Sequence, residues 1–174
     1  MKYIFIGFTS CGKSSVAKAL ASELNIPFID LDDEIINLAE KETGLKRSCR
    51  DIFKQDGESK FRDFESRALT SLASKESFIL ATGGGAPMHE PNQKILKDLA
   101  EIIYLEADAK TLFERMQISK GLPAFLQSDP TVENLQRILS SRELVYNSIA
   151  SYRIKTDGLT ISEVSNKVRA LIKA

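Results

Sequence analysis

Gly7, Gly12, Lys13 and Ser14 have the spacing G-x-x-x-x-G-K-S, within Gly7-Phe8-Thr9-Ser10-Cys11-Gly12-Lys13-Ser14-Ser15. Residues of those types at that spacing hold phosphate. Glycines let the backbone wind tightly enough for successive N–H groups to point at phosphate oxygens. Lys13 brings a point charge to the outer phosphates, and the Ser14 hydroxyl is a ligand for Mg²⁺. A turn that merely contains Gly and Lys matches the same pattern, so the neighbouring residues decide. Before it runs Tyr3-Ile4-Phe5-Ile6, the apolar signature of a buried strand. After it, Val16, Ala17, Leu20, Ala21 and Leu24 share one face of a helix that should end at Asn25, with Pro27 as a stop. Strand, glycine loop and helix together put phosphate at a positive helix N-terminus, and a nucleoside triphosphate is the expected ligand. The same helix end and Lys13 both favour a thiolate at Cys11, which predicts a reactive thiol shielded by bound MgATP.

Further chemistry lies along the chain. Asp30 and Asp32 are two apart, so on extended backbone they face the same way, one towards a Mg²⁺ shell and one towards a substrate hydroxyl. Capping of the next helix by Asp32 or Asp33 is the alternative. Arg62 and Glu65 are three apart on a helical stretch, where the glutamate can fix a guanidinium for bidentate carboxylate recognition. Taken alone, that pair also reads as a solvated surface contact. Gly83-Gly84-Gly85 follows the apolar run Phe78-Ile79-Leu80-Ala81, where backbone should approach a substrate closely. His89 is the single histidine and reads as a surface residue, so neither a zinc site nor a histidine-based triad is expected.

These residues need elements to hold them. Strands are expected at about 2–7, 27–31, 77–82, 101–106 and 152–156. Helices are expected near 13–24, 32–42, 48–55, 58–75, 91–98, 108–118, 131–149 and 160–173. Strands alternating with helices predict a parallel α/β sheet covered on both faces. Two stretches depart from that alternation. Residues 33–75 are helical throughout, and 119–130 are punctuated by Gly and Pro, as expected of substrate-binding and lid segments. The 174 residues suffice for one domain with a real core. Lys plus Arg equals Asp plus Glu at 24 each, which argues against a bulk nucleic-acid or membrane partner. Two cysteines make no disulfide framework, and the chain opens directly on a strand, so a reduced, cytoplasmic protein is expected.

The ordered set Gly7-x4-Gly12-Lys13-Ser14, Asp30-x-Asp32, Gly57-Glu58-x2-Phe61-Arg62-x2-Glu65, Gly83-Gly84-Gly85, Arg115 and Arg142-x3-Tyr146 resembles that of the shikimate kinases. The resemblance covers nearly the whole chain. It implies a three-layer P-loop kinase fold like that of nucleoside monophosphate kinases, with a five-stranded parallel sheet. It also implies a single domain over 1–174, with 33–75 binding substrate and 119–130 forming a lid. ATP would lie on Gly7, Ser10, Cys11, Gly12, Lys13, Ser14 and Ser15, with Arg115 against the adenine. Mg²⁺ would be held by Ser14 and, through water, by Asp30. Asp32 would hold a shikimate hydroxyl and accept its proton. Arg62 and Arg142 would pair with the carboxylate, Glu65 would steady Arg62, and Gly83, Gly84 and Gly85 would line the ring. Phe53 and Phe61 would form an apolar wall near Cys49.

The chain departs from that family's pattern at the lid, where an arginine normally precedes the proline. Leu122 stands before Pro123, and Lys120 is the remaining lid base. Lys120 is therefore expected over the γ-phosphate, with Leu122 packed beneath the lid beside Phe125. Ser10 and Cys11 also occupy the middle of the phosphate loop, where the family has a third glycine. The expected activity is ATP- and Mg²⁺-dependent phosphorylation of shikimate to its 3-phosphate by a monomer. A gluconate- or nucleoside-monophosphate-type kinase and a non-catalytic nucleotide-binding module are the alternatives.

Overall fold

A computed structural model describes residues 1–118 and 122–172. Five strands, β1 (Lys2–Ile6), β2 (Phe28–Asp30), β3 (Phe78–Ala81), β4 (Glu101–Glu106) and β5 (Tyr152–Lys155), form one sheet in the order β2-β3-β1-β4-β5. All four pairings are parallel. Among the described residues seven helices, α1 (Lys13–Leu24), α2 (Leu31–Thr43), α3 (Cys49–Ser71), α4 (Glu90–Leu99), α5 (Ala109–Ile118), α6 (Val132–Ile149) and α7 (Ile161–Ile172), connect and cover it. Strands covered on both faces must be apolar on both, and β3 is buried at every position. The edge strand β5 buries Ile154 and leaves Arg153 and Lys155 exposed.

The strand order places β1 between β3 and β4, so the loops after β1 and β3 leave adjacent strand ends. In open parallel sheets that crevice is where ligands bind. The phosphate loop follows β1, and the triple glycine follows β3.

Helix ends obey local chemistry. α1 stops at Asn25, whose left-handed conformation (φ 53°) returns its N–H to Ala21 and Ser22. Ser48 caps α3 by accepting from Asp51 N at 3.1 Å. The helices expected at 48–55 and 58–75 run as the single span α3, interrupted at Gly57 (φ 84°, ψ 166°). Glycine alone adopts that conformation without strain, so the chain turns there without ending the helical stack. Beyond the kink, Phe61, Phe64, Ala68 and Leu69 are buried and hold the second half of α3 against the core. Full burial of a side chain such as Phe64 contributes about 1.5–3 kcal/mol. Two short 3₁₀ turns, Ala86–Met88 and Ala124–Leu126, were not legible from periodicity; one contains Pro87 and the other follows Pro123.

Candidate active site

The phosphate loop is wound through left-handed backbone at Gly7 (φ 140°), Ser10 (φ 66°) and Gly12 (φ 101°). A methyl group on Gly7 would fall 2.5 Å from the Leu105 carbonyl oxygen, so no other residue fits there. Lys13 is folded into the loop, donating from Nζ to Phe8 O at 2.7 Å and Gly7 O at 3.0 Å. Cys11 Sγ lies 3.8 Å from the same ammonium group. That thiol is 1 % exposed, which corrects the expectation of a reactive group, because the loop itself covers the sulfur.

Asp30 and Asp32 do not lie side by side on an extended strand. β2 ends at Asp30, which is itself the cap of α2: its Oδ1 accepts from Asp32 N at 3.1 Å. Asp32 lies in the first helical turn. The other oxygen of Asp30, Oδ2, accepts from Ser14 Oγ at 3.1 Å. A hydroxyl and a carboxylate already in contact at the start of α1 are hard oxygen donors, and they suit a Mg²⁺ that keeps water and shares phosphate oxygens. Burial pushes the Asp32 carboxyl above the usual carboxylate range, as do the nearby charges of Asp30 and Glu65, with Lys13 opposing.

Each glycine after β3 faces a different part of this arrangement. A methyl on Gly83 would sit 3.4 Å from Asp32 Oδ1. On Gly84 it would meet the phosphate loop, 3.2 Å from Thr9 N and 3.3 Å from Gly7 O. On Gly85 it would lie 3.4 Å from Arg62 Nη2. The triple glycine is the floor on which carboxylate, phosphate loop and guanidinium converge.

Arg62 Nη1 donates to Glu65 Oε2 at 2.8 Å, and the Glu65 side chain is only 3 % exposed. Burial at that level separates the pair from an ordinary surface contact. Burial raises the Glu65 pKa, opposed by Arg62, by a hydrogen bond from Asn92 and by the charge of His89. His89 is thus half-buried beside the site rather than an isolated surface residue. Arg142 packs against two rings, 4.9 Å from the Phe8 centroid and 5.2 Å from that of Phe125. Those rings meet edge to face at 5.7 Å. One turn further along α6, the Tyr146 hydroxyl donates to Gly84 O at 2.6 Å. Phe53 and Phe61 also meet at 5.7 Å, with Phe53 41 % exposed. Burial and the charges of Asp32 and Glu65 push the Cys49 thiol up to about 12, which disfavours the thiolate.

On the other side of the phosphate loop is a cleft of about 400 Å³ lined by Ser10, Gly12, Ser15, Arg115, Thr156 and Leu159. Arg115 is fixed there by bonds to Thr156 Oγ1 (3.1 Å) and Thr156 O (2.9 Å). A planar guanidinium held beside an apolar wall is suited to stacking on an aromatic base.

A family model described as shikimate kinase matches residues 9–173. The chain is 36 % identical over 165 residues to a shikimate kinase of Thermodesulfovibrio yellowstonii, covering 95 % of this chain and 91 % of that one. It is 32 % identical over 174 residues to one from Sulfurihydrogenibium sp., covering 99 % of each. The chain belongs to the shikimate kinase family. Among solved structures, a shikimate kinase from Acinetobacter baumannii in complex with shikimate superposes with a TM-score of 0.85 at 31 % identity, covering 99 % of this chain and 92 % of that one. The three-layer α/β P-loop kinase fold is shared with these shikimate kinases.

Within this shikimate kinase fold, Asp32, Gly83, Gly84, Gly85 and Arg62 gather at the ends of β2 and β3, beside the phosphate loop. Ser10, Gly12, Ser15 and Arg115 share the neighbouring cleft. Lys120 lies outside the described residues. Leu122 and Phe125 both pack against the core as partly buried side chains. Phe8, Thr9, Asn92 and Thr156 are at the site but were not singled out in the sequence. Thr156 and Asn92 are polar residues buried at 2 % and 0 % exposure, a property that a single sequence does not display.

Proposed function

We propose that this member of the shikimate kinase family transfers the γ-phosphoryl group of ATP to the 3-hydroxyl of shikimate. The observation that carries this reading is the triple glycine whose three positions face Asp32, the phosphate loop and Arg62. A carboxylated ring with hydroxyls laid on that floor would meet a proton acceptor, a phosphate cradle and a guanidinium at once. The substrate hydroxyl oxygen forms a bond to the γ-phosphorus, the bond from that phosphorus to the bridging oxygen breaks, and ADP leaves. The hydroxyl proton passes to Asp32 Oδ1 or Oδ2, a carboxylate that burial makes more basic than an ordinary aspartate. Catalysis is mainly positioning and charge stabilisation.

Arg62, held by Glu65, and Arg142, held by Phe8 and Phe125, would take the shikimate carboxylate. Phe53 and Phe61 would wall the ring. Lys13 would exchange the Phe8 and Gly7 carbonyls for phosphate oxygens when ATP enters. Gly7, Ser10, Cys11, Gly12 and Ser15 would wrap the phosphates, and Arg115 would lie on the adenine. Ser14 and Asp30 would hold Mg²⁺, which neutralises charge on the phosphate oxygens when bound. Lys120 would supply the lid cation in place of an arginine. We take residues 1–174 as one kinase domain, with 33–75 binding substrate and 119–130 as lid, acting as a cytoplasmic monomer. Among the described residues, no helix is long and apolar enough to cross a membrane.

A panel of shikimate, gluconate and nucleoside monophosphates, each with MgATP and an ADP-coupled readout, tests the assignment. Shikimate should be turned over and the others should not. Turnover of gluconate or a nucleotide in preference would replace the reading. Binding of ATP and shikimate without ADP production would leave a non-catalytic module.

A further inference from the structure

We propose that Asn92 is a positioning residue for carboxylate recognition, tying the Glu65 carboxylate that aims Arg62 to the glycine loop against which Arg62 lies. This rests on the reading of Arg62 as a shikimate-carboxylate ligand. Asn92 is in the first turn of α4 and is fully buried. Its Nδ2 donates to Glu65 Oε2 at 2.8 Å and to Ala86 O at 3.0 Å, and its Oδ1 accepts from Ser66 Oγ at 2.6 Å. Both amide protons and the carbonyl are used. Exchanging the amide's two ends would set an oxygen against a carboxylate and a carbonyl, so only one orientation is compatible with these partners.

The two acceptors belong to the two halves of the recognition site. Glu65 Oε2 is the same oxygen that receives Arg62 Nη1, so Asn92 and Arg62 share one acceptor. Ala86 follows the triple glycine and closes it: Ala86 N donates to Gly83 O at 3.2 Å, and Met88 N to Gly85 O at 3.0 Å. Gly85 in turn faces Arg62 Nη2. A shift at Asn92 would therefore move the guanidinium and its backdrop together. Ser66, one residue beyond Glu65 on α3, holds the amide from behind.

The charge of Glu65 is also at stake, because burial favours its neutral form and a neutral Glu65 is a weaker anchor for Arg62. Arg62 on α3, Asn92 on α4 and His89 just before α4 favour the anion. Asp32 on α2 and Cys49 at the start of α3 also interact with this carboxylate, and an ionised Asp32 opposes its charge. Removing the Asn92 donors should thus raise the pH below which shikimate recognition fails.

Steady-state kinetics for both substrates across pH, on N92L, N92D and R62L, test this. N92L should raise KM for shikimate by about tenfold or more, a loss of the size expected for a buried hydrogen bond to a charged group. Its KM for ATP should stay within about twofold, because no ATP ligand is touched. The acid limb of kcat/KM for shikimate should move to higher pH. N92D keeps the shape but puts a second carboxyl beside Glu65, and such a pair shares a proton. Its shikimate KM should therefore climb as pH rises over a range where the wild type stays flat. A purely structural role would instead raise both KM values together and leave the acid limb in place, and that result overturns the proposal. Should N92L fail to fold, the pH dependence of N92D decides alone. If R62L keeps wild-type shikimate affinity, the reading of the site is wrong. If R62L loses it while both Asn92 variants keep the wild-type KM and pH profile, only the role of Asn92 is wrong.

Discussion

The Ser14 hydroxyl donates to Asp30 Oδ2 at 3.1 Å, so the first turn of α1 and the end of β2 meet at a pair of oxygen atoms. Asp30 Oδ1 is meanwhile engaged in capping α2. One carboxylate thus does structural work with one oxygen and leaves the other for the phosphate end of the site. Asn caps a helix as well as Asp, so Asp30→Asn should leave the melting temperature nearly unchanged. It should raise the Mg²⁺ concentration needed for half-maximal activity by roughly 10–100-fold, the usual cost of losing a metal-orienting group. A Mg²⁺ titration beside a thermal melt checks both, and an unaltered Mg²⁺ requirement would remove Asp30 from the metal shell.

Asp32 should set the acid limb of turnover. It works as a base only when ionised, and burial with Asp30 and Glu65 nearby raises its pKa. Activity should therefore fall as pH drops through a value above that of an ordinary aspartate, and be complete above it. Asp32→Asn should lower kcat by about 10²–10⁴-fold and abolish that limb. A pH–kcat profile that is flat down to pH 4, measured where the protein remains folded, would contradict the assignment.

Ser10 carries a positive φ of 66°, a conformation that costs a side-chain-bearing residue about 1–2 kcal/mol. Glycine relieves that strain but adds unfolded-chain entropy of about 0.5–1 kcal/mol. Ser10→Gly should consequently raise the melting temperature slightly or leave it unchanged, whereas Ser10→Val should lower it by several degrees. Differential scanning calorimetry of the two variants reads the difference. A marked loss for Ser10→Gly would mean that the hydroxyl matters more than the backbone.

Phe125, in the segment proposed as the lid, lies on the Arg142 guanidinium beside Phe8. A cation–π contact contributes about 0.5–2 kcal/mol. Phe125→Ala should accordingly weaken shikimate binding by several-fold to about thirtyfold and leave ATP binding intact. Titration calorimetry separates the two ligands. Lys120→Ala, in contrast, should spare shikimate binding and lower kcat at least about tenfold, since a lid cation acts on the transferring phosphoryl group. Normal turnover in that variant would point to Arg115 or Arg142 as the cation instead.

The parts of the site legible in the sequence are those set by local backbone demands. Gly7 and Gly12 announce left-handed turns beside a strand and a helix. Gly83, Gly84 and Gly85 announce close approach, although not that each faces a different partner. Arg62 and Glu65 share a helix face at any exposure, and only tertiary packing reveals that Glu65 is buried. Only the side-by-side geometry expected of Asp30 and Asp32 failed, because β2 ends one residue early and makes Asp30 a cap and Asp32 a helical residue. Lys13 was expected on phosphate and Cys11 as a reactive thiol, but the loop's own carbonyls hold the ammonium and the thiol is buried. Asn92 and Phe8 act through residues distant in sequence, and no spacing rule connects them to Glu65 or Arg142.

On this mechanism the hydroxyl presented on the glycine floor is the one phosphorylated. Phosphorus NMR of the protein with MgATP and shikimate tests it most directly, by following where the γ-phosphorus goes. The predicted result is loss of the γ-signal matched by a phosphate monoester whose proton coupling assigns it to the 3-oxygen of shikimate. Release of inorganic phosphate at the same rate with and without shikimate, or a γ-signal that persists while both ligands are bound, would contradict it.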